Sequence, residues 1–171
     1  MTITLYANEI EHTIRQILHR AGCDLESLTL KGYVQMDKTE SDAELLTRLI
    51  RTGVAKVKTI LRNHITPVTE NATDELDNGY DTYAFALDLD GDGQSLADLL
   101  HWFVVWWVLK TLGAMFGLTN IAGKANSEVE EAEELIKEEL LALAMPIKER
   151  RSVTRASNFT PSIILVDGDD S

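Results

Sequence analysis

The stretch SLADLLHWFVVWWVLKTLGAMFG, residues 95–117, constrains this chain more than any other. Its apolar residues do not keep to one side of a helix. Trp102, Trp106 and Leu109 share a face, while Phe103, Val104, Trp107 and Val108 cover much of the remainder. A helix that is apolar all round must be enclosed, by lipid or by protein. Roughly 20 apolar residues suffice to cross a bilayer, but Lys110 lies near the middle, where an ammonium costs about 2.5–3.5 kcal/mol on insertion scales. His101, Thr111, Gly113 and Gly117 weaken that reading further and no second span accompanies it, so no membrane partner is expected. Protein must then supply the enclosure. Burying a large apolar side chain is worth about 1.5–3 kcal/mol, and several left exposed form a patch larger than a soluble monomer carries. Two readings stand side by side: a single central core helix, or a helix whose Trp102, Trp106 and Trp107 side partly meets another subunit.

The rest of the chain offers three more helices to surround it. Ile10, Ile14, Ile17, Leu18 and Ala21 form one stripe over residues 7–21, which Gly22 ends. Ser41-Asp42-Ala43-Glu44 is a capping-box signature, and Leu45, Leu46, Leu49, Ile50, Val54, Val57, Ile60 and Leu61 repeat behind it, predicting a helix to about residue 64 before Pro67. Ser127-Glu128-Val129-Glu130 reads as another cap, starting a helix that runs to Met145 and turns Val129, Ala132, Ile136, Leu140 and Leu143 inward. Tyr83, Phe85, Leu87 and Leu89 alternate with small or polar residues, as in a half-buried strand. Its expected partner is the piece around Ile65–Thr69, closing a hairpin over about residues 65–90 with an acidic loop and an Asn78-Gly79 turn at its tip. Residues 24–37 read as irregular, with at most a short strand. The predicted fold is mainly α: a small helical bundle with a β-hairpin insertion, residues 1–150, and an extended C-terminal arm, residues 151–171. At 171 residues the chain can bury one sizeable core but is short for two.

One loop carries a candidate chemistry. In LDLDGDGQSLADLL, Asp88, Asp90, Asp92 and Gly93 sit at positions 1, 3, 5 and 6 of a calcium loop, yet position 8 is Ser95 and position 12 is Leu99. The anchoring hydrophobe and the bidentate carboxylate are therefore absent, and a strand precedes the loop instead of a helix. An acidic turn explains the same residues, with Ser95-x-x-Asp98 capping the next helix and carboxylates favoured near a helix N-terminus. Asp88, Asp90 and Asp92 remain an incomplete calcium site beside that structural reading, and no other cofactor is expected. No Gly-rich phosphate loop, G-x-S-x-G elbow or H-E-x-x-H motif occurs, and His12, His19, His64 and His101 are scattered without a completing ligand set. No catalytic residue is assigned and enzyme function is not expected. The single cysteine, Cys23, reads as an inert thiol. The start MTITLYANEIEH lacks a secretory signal pattern, which makes cytoplasmic synthesis the default and leaves the acceptor triplet at Asn71 without consequence.

Charge points to partners. The net charge of −12 argues against a duplex-binding module, which would cluster Lys and Arg against phosphates. The charges are also sorted: a basic helix face (Arg48, Arg51, Lys56, Lys58, Arg62), no Lys or Arg between Arg62 and Lys110, an acidic helix (Glu128, Glu131, Glu134, Glu138, Glu139) and a basic segment around Arg150 and Arg151. Complementary faces of this kind set register and specificity more than affinity. Each one taken singly also fits a solvated face. Beyond them Ser162–Val166, with Ile163, Ile164, Leu165 and Val166, has the β propensity of a strand that pairs with a neighbour's sheet.

The order of these pieces resembles the small helical head-to-tail connector (adaptor) proteins of tailed bacteriophages. DAELLTRLIRTGVAKVKTIL is followed by a hairpin with an acidic loop, the apolar helix LADLLHWFVVWWVLKTL, and a closing helix that ends in LLALAMPIKERR. The resemblance covers roughly residues 41–151. It departs from the family's closing segment, since Met145-Pro146-Ile147-Lys148 stands where a Pro-Tyr-Arg-like sequence is usual, and the central helix lacks the charged end common there. It implies a virion structural protein, assembled in the bacterial host cytoplasm, forming a homo-oligomeric ring between portal-like and tail proteins. DNA would pass through the lumen without sequence-specific binding, with the acidic stretch 70–98 facing the lumen or the next ring. The residue-level alternatives are a calcium-binding module and a monomeric, cytoplasmic regulatory interaction protein.

Overall fold

A computed structural model describes residues 1–25, 41–66 and 82–145. Along them the chain forms β1 (Thr2–Tyr6), α1 (Ala7–Arg20), α2 (Asp42–Leu61), β2 (Thr82–Ala86), α3 (Gln94–Phe116) and α4 (Thr119–Ala144). The fold is mainly α with a small two-stranded antiparallel pairing, as expected. The predicted acidic hairpin loop with Asn78-Gly79 and the C-terminal arm, including Arg150, Arg151 and Ile163–Val166, lie outside the described residues, as does most of the segment 24–37.

The apolar segment forms one unbroken helix, and it is central. α1, α2, α4 and β1 all pack on α3, which buries Leu96, Leu100, Phe103, Val104, Val105, Val108, Leu109 and Leu112. By length and apolar content alone α3 matches a bilayer span; here its enclosure comes from the neighbouring elements. α1 contributes Ile10, Ile14 and Leu18 to this core, as its stripe predicts. α2 begins with the predicted capping box: the Glu44 amide donates to Ser41 Oγ at 3.2 Å, and the Ser41 amide donates to Glu44 Oε2 at 2.9 Å. Arg15 of α1 holds α2 in place by pairing with Glu11 and Asp42, each at 2.8 Å.

Three expectations are corrected. β2 pairs over its full length with β1, in the register Thr2↔Ala86, Ile3↔Phe85, Thr4↔Ala84, Leu5↔Tyr83 and Tyr6↔Thr82. Of the expected partner, Ile65 forms one bridge to Leu87 and the Thr66 amide donates to the Ala86 carbonyl at 3.0 Å, while residues 67–69 lie outside the described residues. The reason for the β1 pairing is burial: Ile3 and Leu5 bring two side chains to the core face. The second cap signature is not a cap. α4 starts at Thr119, eight residues before Ser127, whose hydroxyl lies 3.5 Å from the Gly123 carbonyl inside the helix. α3 likewise starts at Gln94, after Gly93, and Ser95 makes no cap bond; Asp92 Oδ1 accepts from the Gln94 amide at 3.0 Å instead.

The early start of α4 follows from the turn before it. Gly117 adopts φ 68°, a left-handed conformation that costs glycine little, and the Leu118 amide donates back to the Gly113 carbonyl at 2.8 Å. The chain therefore reverses within a few residues and α4 runs back along α3. At the crossing nearest the turn, a Cβ on Gly113 would lie 2.8 Å from the backbone nitrogen of Ala122. Only a residue without a side chain allows that approach.

Candidate functional site

No described residue outside the core carries a buried polar cluster, so the candidate sites are surfaces. The first is the aromatic side of α3. Trp102 and Trp106, one helical turn apart, stack at 6.2 Å between ring centroids. Trp102 remains 45 % exposed, and Trp106 and Trp107 are half-buried. Trp107 turns the other way, stacking on Phe103 at 6.2 Å. Phe103, Val104 and Val108 are enclosed by the chain itself, whereas Trp102 is not. Three ammonium groups border these rings. Lys56 and Lys110 lie 5.4 and 5.7 Å from the Trp107 ring, and Lys124 lies 5.4 Å from Trp106. Each such contact contributes about 0.5–1 kcal/mol at an exposed site. Lys110, costly in a bilayer, is accommodated here at a wet edge.

The acidic turn has a structural role for one of its members. Asp88, Asp90 and Asp92 are all exposed between β2 and α3. Asp92 holds the first amide of α3, and the Asp88 amide donates to the His64 carbonyl at 2.8 Å. Among the described residues no group of three or more His, Cys, Asp or Glu side chains is placed to hold a metal ion. The four histidines are not brought together either. His12 and His19 are exposed on α1, with His12 Nε2 2.8 Å from Gln16 Nε2.

His101 is the exception among them, and it marks a second surface. A cleft of about 450 Å³ runs along the whole of β1, between that strand and the first turns of α3. Glu9, Asp92, Asp98 and His101 border it. Partial burial pulls the His101 imidazole below its ordinary value of 6.5, against the opposing pull of Glu9 and Asp98. The His101 and Trp102 rings meet edge-on at 5.8 Å, so the cleft and the aromatic side of α3 adjoin. Sequence reasoning passed over this cleft because it passed over β1. The signal was present in MTITLY, where Ile3 and Leu5 alternate with Thr2, Thr4 and Tyr6. No protein-family model, curated protein or solved structure matches this chain.

Proposed function

We propose that this chain is a non-enzymatic structural subunit of a multi-protein assembly and, more finely, a head–tail connector or neck ring protein of a tailed bacteriophage. One observation carries the coarser reading: Trp102 stands 45 % exposed, stacked on Trp106, which has Lys124 over its ring. Exposed, stacked tryptophans fit the core of an interface, where Trp is enriched among the residues that dominate binding. The same chain offers a complement on α4, whose outer side exposes Glu130, Glu131, Glu134 and Glu138. A contact between two different patches of identical chains is head-to-tail, and such contacts close into rings when the rotation allows.

The finer reading rests on the order of elements over residues 41–151, which resembles the connector family. In it, the subunits form a homo-oligomer between portal-like and tail proteins of the virion, and DNA passes the lumen without base recognition. The net charge of −12 suits a wall along which DNA slides.

Sedimentation of the purified chain tests the assembly. The expected outcome is a multi-chain mass that grows with concentration. Trp102→Glu should weaken association about thirtyfold or more, corresponding to a loss of about 2 kcal/mol at a central aromatic contact, with helical content unchanged. A single-chain mass at every concentration would sink the reading.

A further inference from the structure

The backbone of β1 leaves one side unused. Met1 and Leu87 exchange both hydrogen bonds, at 2.9 and 2.8 Å. In an antiparallel ladder such bonded pairs alternate, so Ile3–Phe85 and Leu5–Tyr83 are the next ones. The amides and carbonyls of Thr2 and Thr4, and the amide of Tyr6, therefore point away from β2 and into the cleft. Among the described residues no backbone group pairs with them. Natural edge strands are usually protected by shortness, by charge, by proline or by a cover. TITLY has neither charge nor proline, so beyond its five-residue length a cover is the protection open to it.

We propose that the free edge of β1 receives Ser162–Val166 of a neighbouring copy as a third strand; the neighbour's part in this rests on the assembly reading above. The lengths agree, five residues in β1 and five in Ser162–Val166. Residues 146–161, which join Ser162 to the end of α4, span at most about 55 Å when extended. That exceeds the roughly 35 Å length of α3, taken at 1.5 Å per residue. Charge agrees on the N-terminal side, where Lys148, Arg150, Arg151 and Arg155 precede Ser162 and Glu9, Asp92 and Asp98 border the cleft; Asp167, Asp169 and Asp170 follow Val166. The neighbour is favoured as donor because the cleft adjoins Trp102 through His101, so a copy seated on the aromatic side of α3 has its arm within reach of this edge. Backbone pairing supplies the affinity in this mode, and side-chain pockets supply the specificity.

The test uses the full chain in a Cys23→Ser background. Copies with Thr4→Cys are mixed with copies carrying either Ile163→Cys or Ile164→Cys and then oxidised. Adjacent strands lie about 4.8 Å apart and side chains alternate between faces, so one arm cysteine should link two chains and the other should not. Cross-linking by both equally or by neither overturns the proposal, as does closure only within single chains when both cysteines share one chain. In a second measurement the Thr4 amide should exchange with solvent about tenfold or more slowly in the unmodified chain than in Ile164→Pro, which removes a ladder donor from the arriving strand. Equal rates overturn it. A multi-chain mass without the disulfide sinks the edge pairing alone, whereas a disulfide closed within chains of single-chain mass sinks the assembly reading and, with it, the neighbour as donor.

Discussion

At the scale of single residues, His101 has a consequence for stability. Its ring is partly buried against β1 and α1, and burial disfavours the charged form. The folded chain therefore takes up the imidazole proton at lower pH than the unfolded chain does. Between those two points the unfolded state binds more protons, and stability rises with pH. The stabilising contribution is fully present above 6.5, the ring's ordinary value, and is lost as pH falls through the folded value. Thermal unfolding followed across this window should show a falling midpoint on acidification, and His101→Gln should flatten that part of the profile. An unchanged slope in the variant would mean that the ring is as solvated as in the unfolded chain. The Arg15–Asp42 pair behaves likewise at lower pH. The hydrogen bond from Arg15 holds the Asp42 carboxyl below its usual range, so its contribution is lost only in acid.

At the scale of elements, α3 and α4 form the most extensive helix contact among the described residues, and Gly113 permits their close approach. Gly113→Ala should raise intrinsic helix propensity by about 1 kcal/mol, yet the new Cβ would meet the backbone of Ala122, a group that cannot rotate away. Overpacking of this sort typically costs about 1–3 kcal/mol. The variant should therefore unfold at lower denaturant concentration than the parent, with the same slope; a stabilised variant would show that α4 can shift without loss. The elements themselves were legible to different degrees. α1 and α2 follow from apolar spacing and one true capping box, because each buries the stripe its sequence displays, and α3 follows from an unbroken run that is apolar all round. The start of α4 was misread since Ser127 has the chemistry of a cap, but Gly117 had already turned the chain and nothing between them stops a helix. Proximity in sequence points to Ile65, which does bridge Leu87, but burial of Ile3 and Leu5 adds the longer pairing with a strand more than seventy residues away. The aromatic surface was visible from the three tryptophans. The cleft was not, because it exists only once β1 and α3 are brought together.

At the scale of the whole molecule, two forces could hold copies together, and salt separates them. Like charges dominate, with 28 acidic against 16 basic residues, so identical chains repel on approach. Against this stand an apolar contact at Trp102 and an attraction between lysines around the aromatic rings and glutamates on α4. The screening length falls from about 10 Å at 0.1 M salt to about 3 Å at 1 M. Exposed ion pairs contribute at most about 1 kcal/mol each and would be largely lost over that range, while burial of an indole would not. An assembly held by Trp102 should keep its mass at 1 M salt, or gain mass as the repulsion fades, and should lose it in Trp102→Glu at either concentration. An assembly held by the lysine and glutamate faces should dissolve as salt rises and survive the tryptophan substitution at low salt. Charge would in the first case choose the register in which copies meet, and the indole would decide whether they stay.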